Sequence, residues 1–279
     1  MDIATIVGLL LAFGALLIAT LMEGGEIVAF INIPAFVIVM GGSLGATVIS
    51  IPLRQIMGIM KVTRRAFFAQ DMDKPRLLNT IVEFARRARR EGILALEEES
   101  KQVDNPFLRK AVQLVVDGNP GELVREVLET EVGAMEERHK AGESIYSTLG
   151  GFAPTLGILG TVMGLVHMLA SLDEPGRMGE AIAAAFIATL YGVGSANVIF
   201  LPIGNKLKAR SQEEIAVYEM MIEGILSLLA GDNPRVVSAK MEPCLSPAER
   251  EALEALRSGA GSETVRGAEM AGAPVGSEA

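Results

Sequence analysis

Residues 146–172 read YSTLGGFAPTLGILGTVMGLVHMLASL, a run with no Asp, Glu, Lys or Arg. A helix rises about 1.5 Å per residue and the bilayer's hydrocarbon core is about 30 Å thick, so about 20 such residues cross it. Stretches at 3–22, 34–53 and 181–204 meet the same test and are equally free of charge. The spacing predicts an all-α membrane protein with four transmembrane helices. A protein that moves ions by itself keeps an ionisable group at depth. Here that group is left to a partner.

Composition agrees. Half of the 279 residues are hydrophobic and there is no Trp, so the usual interfacial aromatic belt is thin. A formal net charge of -9 argues against nucleic-acid binding, which needs a basic surface. The single cysteine, Cys244, sits in a polar region, which excludes an internal disulfide and fits the cytosol. Met1-Asp2-Ile3-Ala4 lacks the cationic start of a secretory signal and passes straight into an apolar segment, so a retained first helix is expected. With no metal-spacing cluster, phosphate loop or nucleophile motif, neither enzyme activity nor a cofactor is expected.

Basic residues set the orientation. Of 25 Lys and Arg, 16 fall in 53–147 and 8 in 205–279, while the connections 23–33 and 173–180 share only Arg177 and carry Glu23, Glu26, Asp173, Glu174 and Glu180. The positive-inside rule then makes both long polar regions and both termini cytoplasmic. The expected domains are a first membrane hairpin at 1–53, a cytoplasmic helical region at 54–145, a second hairpin at 146–204, a cytoplasmic helical extension at 205–257 and a disordered tail at 258–279.

The insertion between spans two and three reads as helical. Leu77, Ile81, Phe84, Ala85 and Ala88 recur at helical spacing opposite Arg86, Arg87, Arg90 and Glu91. Asp104-Asn105-Pro106 and Gly118-Asn119-Pro120 are turn signals, and in the second Asn119 can cap a helix with Pro120 at its first position. From Leu123 a single long helix is expected to enter the third span. A matching helix leaves the fourth through Lys206, Lys208 and Arg210 and runs to Leu229, where Gly231-Asp232-Asn233-Pro234 stops it. Ser246-Pro247-Ala248-Glu249 predicts a capping box on a short terminal helix.

The later spans carry small side chains on one face. Ala153, Gly157, Gly160 and Gly164 form one such row, and Ala184, Ala188, Gly192 and Ala196 another. Rows of this kind let helix backbones approach closely in lipid. Packing within one subunit and lining a channel around another protein's helix are both open to them. Pro154 and Pro202 each remove a backbone donor and free a carbonyl one turn earlier, either as passive kinks or for use. Thr161 and Thr189 offer hydroxyls at depth, although mid-helix threonines commonly bond back to their own carbonyls. His167, near the outer end of the third span, reads as structural. A scaffold without ion coupling would also have charge-free spans. A small-solute transporter would show broken helices in inverted repeats, and the two hairpins here resemble each other poorly.

Several motifs occur in order along roughly residues 1–245. They are Met1-Asp2-Ile3-Ala4-Thr5, Gly42-Ser43-Leu44-Gly45, the string from Ala88-Arg89-Arg90-Glu91 to Glu97-Glu98, the segment Ala153-Pro154-Thr155-Leu156-Gly157-Ile158-Leu159-Gly160-Thr161, and Ala188-Thr189-Leu190-Tyr191-Gly192 through Pro202. Together they resemble the MotA/PomA family of flagellar stator subunits, in the MotA/TolQ/ExbB superfamily. Energising proteins of the ExbB and TolQ type share the paired late spans but typically have three, and they lack the Arg-Arg…Glu-Glu string.

The resemblance implies a multi-pass protein of the bacterial inner membrane that forms a homo-oligomeric ring, five copies in the family's current picture. The ring surrounds a MotB-type subunit anchored to peptidoglycan, whose single span supplies an Asp as ion carrier, and ion flow through the pair turns the rotor. On the same resemblance Arg89, Arg90, Glu97 and Glu98 meet the rotor protein FliG, Pro154 and Pro202 serve conformational coupling, and Thr161 and Thr189 lie beside the ion path. Gly157, Gly160, Gly164, Ala188 and Gly192 serve helix packing. Sodium-type PomA members carry an extra Thr just before the position of Thr189, where this chain has Ala188, so the coupling ion is expected to be H+ rather than Na+.

Overall fold

The structure, a computed structural model of the chain, describes residues 3–25, 27–59, 63–64, 72–170 and 175–258. Among them every regular element is helical. In chain order the α-helices are α1 (Ile3–Met22), α2 (Ile33–Phe36), α3 (Gly42–Ser50), α4 (Leu53–Ile56), α5 (Lys74–Glu91), α6 (Leu96–Ser100), α7 (Pro106–Val116), α8 (Gly121–Ala170), α9 (Pro175–Gly194), α10 (Leu201–Leu229), α11 (Pro234–Met241) and α12 (Pro247–Arg257). Four helical stretches among the described residues are long and apolar enough to cross a membrane, within Thr5–Met22, Ile27–Ser50, Gly121–Ala170 and Met178–Leu229.

The chain divides into two compact units, Met1–Gln70 with Glu137–Ser211, and Asp71–Glu136 with Gln212–Ala279. The boundaries expected near 53, 145 and 204 followed the ends of the apolar runs. Helices α8 and α10 run through residues 145 and 204 without a break, and residues of the expected insertion and of the expected extension pack into one unit rather than two. The expected tail, 258–279, lies outside the described residues apart from Ser258.

In the first unit α1 buries none of its apolar length. Asn32 caps α2, its Oδ1 accepting from the Ala35 N–H at 2.9 Å, with Pro34 in the first turn. The second span then passes through a π-helical turn at Val37–Gly41 into α3. It stops at Ser50 rather than at the expected residue 53, because Ile51 precedes Pro52 and is held extended at ψ 138. A second π-helical turn, Ser195–Phe200, joins α9 to α10.

The long helices have the extents the sequence predicts: α8 starts at Gly121 and α10 ends at Leu229, followed by Gly231 at φ 77. Asn119 differs from expectation. Its backbone N–H and its Nδ2 both donate to the Leu114 carbonyl, so it closes α7, and Pro120 supplies the carbonyl that takes the first bond of α8 from Val124.

The core of the second unit gathers Leu78, Ile81, Val82 and Phe84 of α5 with Leu108 and Val112 of α7, Val124 and Leu128 of α8 and Met221 and Ile225 of α10. Leu78 is fully buried, whereas the expected core residues Leu77 and Ala88 are half-buried at its margin. On α12 the capping box is complete, Ser246 N–H donating to Glu249 Oε2 at 2.7 Å and Glu249 N–H to Ser246 Oγ at 3.4 Å.

Candidate functional site

The first unit brings the third and fourth spans into backbone contact along their small-residue rows. A methyl added to Gly157 would lie 3.0 Å from the Ala188 carbonyl oxygen and 3.2 Å from the Cα atoms of Thr189 and Gly192. One added to Gly160 would meet the Ala188 Cβ at 2.7 Å, and one on Gly164 the Ala185 Cβ at 2.8 Å. Side chains larger than hydrogen at these glycines would drive the helices apart. The two rows therefore face each other through Ala188 and Gly192, with Ala185 rather than the expected Ala184 opposite Gly164, and no helix of another protein fits between surfaces at this separation.

Thr161 and Thr189 meet across this seam, their hydroxyls hydrogen-bonded to each other. The Thr161 hydroxyl also lies 3.1 Å from the Gly157 carbonyl and 3.0 Å from the Ala185 carbonyl. One of these is the usual back-bond within a helix, and the other ties the third span to the fourth. Both threonines are half-buried. Hydroxyls do not titrate at cellular pH, so the pair can hydrate or relay but cannot carry a proton away.

The prolines sit in different surroundings. Pro154 is half-buried inside α8 and leaves the Gly150 carbonyl without its helical donor. Pro202 is exposed and follows the π-helical turn, where the Leu201 N–H reaches back to the Ala196 carbonyl. The wider turn takes up the ring that would clash with a regular helix.

Sequence reasoning missed the tyrosines that hold this unit. Tyr191 on the fourth span accepts from the Asn32 N–H at 3.2 Å and donates to the Phe30 carbonyl, fixing the connection that leads into the second span. Tyr146 hydrogen-bonds Thr63. Neither partnership leaves a periodic mark in the sequence, since it joins residues far apart in the chain.

The charged string lies in the second unit. Arg89 and Arg90 are exposed in the last turn of α5, and Glu97 and Glu98 are exposed in the first turn of α6. Cations at a helix C-terminus and anions at an N-terminus both suit the helix dipole. Glu97 and Glu98 share Lys101, at 3.8 and 2.7 Å, and the hydrogen bond and charge of Glu98 hold the Lys101 ammonium above its ordinary value. Arg87, expected on the outer face, is the residue that joins the two helices. It pairs with Glu91 at 2.9 Å and with Glu99 across the turn at Gly92, where φ is 90. Among the described residues Arg89 and Arg90 form no ion pair within the chain.

Comparison with known proteins gives this geometry its setting. The family model of the MotA/TolQ/ExbB proton channel family matches residues 99–220, and that of the motility protein A N-terminal region matches residues 6–92. Motility protein A of Bacillus subtilis is 39% identical over 242 residues, covering 86% of this chain and 90% of its own length. Chemotaxis protein PomA of Vibrio alginolyticus is 36% identical over 254 residues, 91% of this chain and 99% of its own. Among solved structures, a chain of the C. jejuni MotAB structure superposes with a TM-score of 0.84 at 32% identity, covering 88% of this chain and 97% of that one. A chain of the flagellar MotAB stator complex of Bacillus subtilis does so at 0.82 and 38% identity, covering 89% and 98%. The chain belongs to the MotA/PomA family of flagellar motor stator subunits, within the MotA/TolQ/ExbB proton channel family.

Proposed function

We propose that the chain forms a ring, of five copies on the family's pattern, around a MotB-type subunit in the bacterial inner membrane, and that proton flow through the pair turns the rotor. The observation that carries this reading is the set of four spans without Asp, Glu, Lys or Arg. Such spans can surround a carboxylate but cannot replace it, so the titrating group arrives on the partner's helix. Solved structures similar to this chain are of MotAB complexes, which supports that partner. The excess of Lys and Arg in 53–147 and 205–279 supports a topology with both termini in the cytoplasm. The complex works as a motor rather than an enzyme.

Protons fit the seam better than sodium. A desolvated sodium ion needs several oxygen ligands, and position 188 offers only a methyl group, 1% exposed and packed against Gly160. In the second unit, the unpaired Arg89 and Arg90 and the acidic Glu97 and Glu98 form a polar surface suited to brief contacts with FliG. Exposed ion pairs are worth about 0–1 kcal/mol, which lets such a contact break at every step.

The test is to produce the chain with its MotB-type partner in a motile strain stripped of its own stators. Swimming should return with the pair and fail when the partner's intramembrane Asp becomes Asn. Swimming that survives that substitution would refute the assignment.

A further inference from the structure

Asn197 is an amide in a membrane span with most of its hydrogen-bonding capacity unused. Lys206 follows it by nine residues, so it stands about 13 Å along the fourth span from that cation. One N–H of Nδ2 donates to the Val193 carbonyl at 2.9 Å. The second N–H and Oδ1 have no partner within the chain, and the residue is exposed. Hydrocarbon cannot satisfy these groups, whereas polar side chains of a neighbouring helix do so in lipid.

Helix geometry sets where the amide points. Asn197 follows Ala188 by nine residues, about two and a half turns, and Ala188 meets Gly157 and Gly160 of the third span. Asn197 therefore lies on the flank of the fourth span turned away from the third. On the third span, Ala153 and Gly157 meet Gly192, and Thr155 is about half a turn from each of them. Thr155 is exposed on the opposite flank of the pair, and its hydroxyl donates to the Phe152 carbonyl at 2.8 Å, which leaves its oxygen free to accept. The two residues also stand at nearly one depth. Gly192 faces Ala153 and Gly157, and Gly204 faces Tyr146 and Ser147, so residue 197 is level with about residue 151, one turn from Thr155. Side chains lean toward the N-terminus of their own helix, and in antiparallel spans that brings Asn197 and Thr155 toward a common level.

We propose that Asn197 of one copy hydrogen-bonds Thr155 of the next, along a seam between the fourth span of one and the third span of its neighbour. This seam rests on the ring proposed above and names the contact that closes it. Rotation about the membrane normal keeps every residue at its depth and carries the Asn197 flank of one copy onto the Thr155 flank of the next, a head-to-tail contact that closes into a ring. The free N–H of Nδ2 donates to Thr155 Oγ1. Gly151, exposed at the level of Asn197, has no side chain to hold the amide off. Beyond this pair both flanks are apolar and exposed at helical spacing: Leu159, Val162 and Val166 continue from Thr155, and Val193, Leu190 and Phe186 from Asn197. A single helix of the partner subunit covers only one of two opposite flanks, whereas a second copy of this chain covers both.

The test is a cryo-EM map of the chain with its MotB-type partner in lipid, at a resolution that shows side chains. The Asn197 amide is expected within hydrogen-bonding distance of Thr155 of the adjacent copy. An amide that faces lipid, the partner's helix or the centre of the ring overturns the proposal while leaving the ring intact. Copies that form no ring refute the ring itself. A double-mutant cycle on the heat-induced dissociation of the complex gives a second reading. Asn197→Ala and Thr155→Val should each lower the dissociation temperature, and the double variant should lose less than the sum of the two. Additive losses, or no loss in Asn197→Ala, overturn the pairing.

Discussion

A methyl group on Gly192 would sit 2.5 Å from the carbonyl oxygen of Ala153 and 2.9 Å from the Cα of Gly157. The obstacle is backbone, which cannot rotate out of the way as a side-chain tip can. Gly192→Ala must separate the third and fourth spans, at a cost of about 1–3 kcal/mol for overpacking. Gly8→Ala and Gly14→Ala on α1 add their methyls into open space and should be neutral. Thermal unfolding of the purified complexes compares the three, and equal Tm values would contradict the close seam.

Thr189→Val removes one hydroxyl from the pair while keeping its volume. Thr161 retains two carbonyl acceptors, so abundance should hold, since one hydrogen bond contributes about 0.5–1.5 kcal/mol. Torque in tethered-cell rotation should fall, and Thr189→Ser should restore most of it. Full torque in Thr189→Val would make the hydroxyl a packing feature only.

These two sites differ in how far the sequence disclosed them. The glycine row was legible because backbone approach in lipid requires small residues at helical spacing, and Gly157, Gly160 and Gly164 have that spacing. The pairing of Thr161 with Thr189 depends on the register between two helices, which no local pattern records. The π-helical turns at Val37–Gly41 and Ser195–Phe200 were hidden for a related reason: an extra residue in a turn is set by tertiary packing and leaves apolar sequence looking regular. Around Arg89 and Arg90 the sequence showed charge but not its division, with Arg87 engaged across the turn and its neighbours left unpaired.

That division predicts opposite outcomes for adjacent arginines. Arg90→Glu should stop or slow rotation without changing assembly, because an exposed side chain with no internal partner adds little to folding. Arg87→Ala removes two partly exposed pairs and should lower the second unit's stability by no more than about 1 kcal/mol. Swimming-plate diameter and blue-native gels separate the two effects. Loss of assembly in Arg90→Glu would make it a structural residue.

The second unit should weaken in acid. A hydrogen bond from Ser238, helped by Arg257 against the cost of burial, holds the Glu242 carboxyl below its ordinary value, and Lys240 and Ser227 do the same for Asp232. Folded-state values below the unfolded ones mean that this stabilisation is complete above the ordinary carboxylate range, about pH 4, and fades as pH falls through the folded values. The Tm gap between wild type and Glu242→Gln should therefore be present at neutral pH and shrink on acidification. A gap that widens in acid would reverse the sign of the argument.

The central claim is that these charge-free spans enclose a path whose titrating group belongs to the partner. Proton uptake into proteoliposomes under an imposed membrane potential tests it most directly, with the chain alone, with its MotB-type partner, and with the partner's intramembrane Asp changed to Asn. Uptake should appear with the wild-type pair and be absent from the other two. Selective proton uptake by the chain alone would contradict the account.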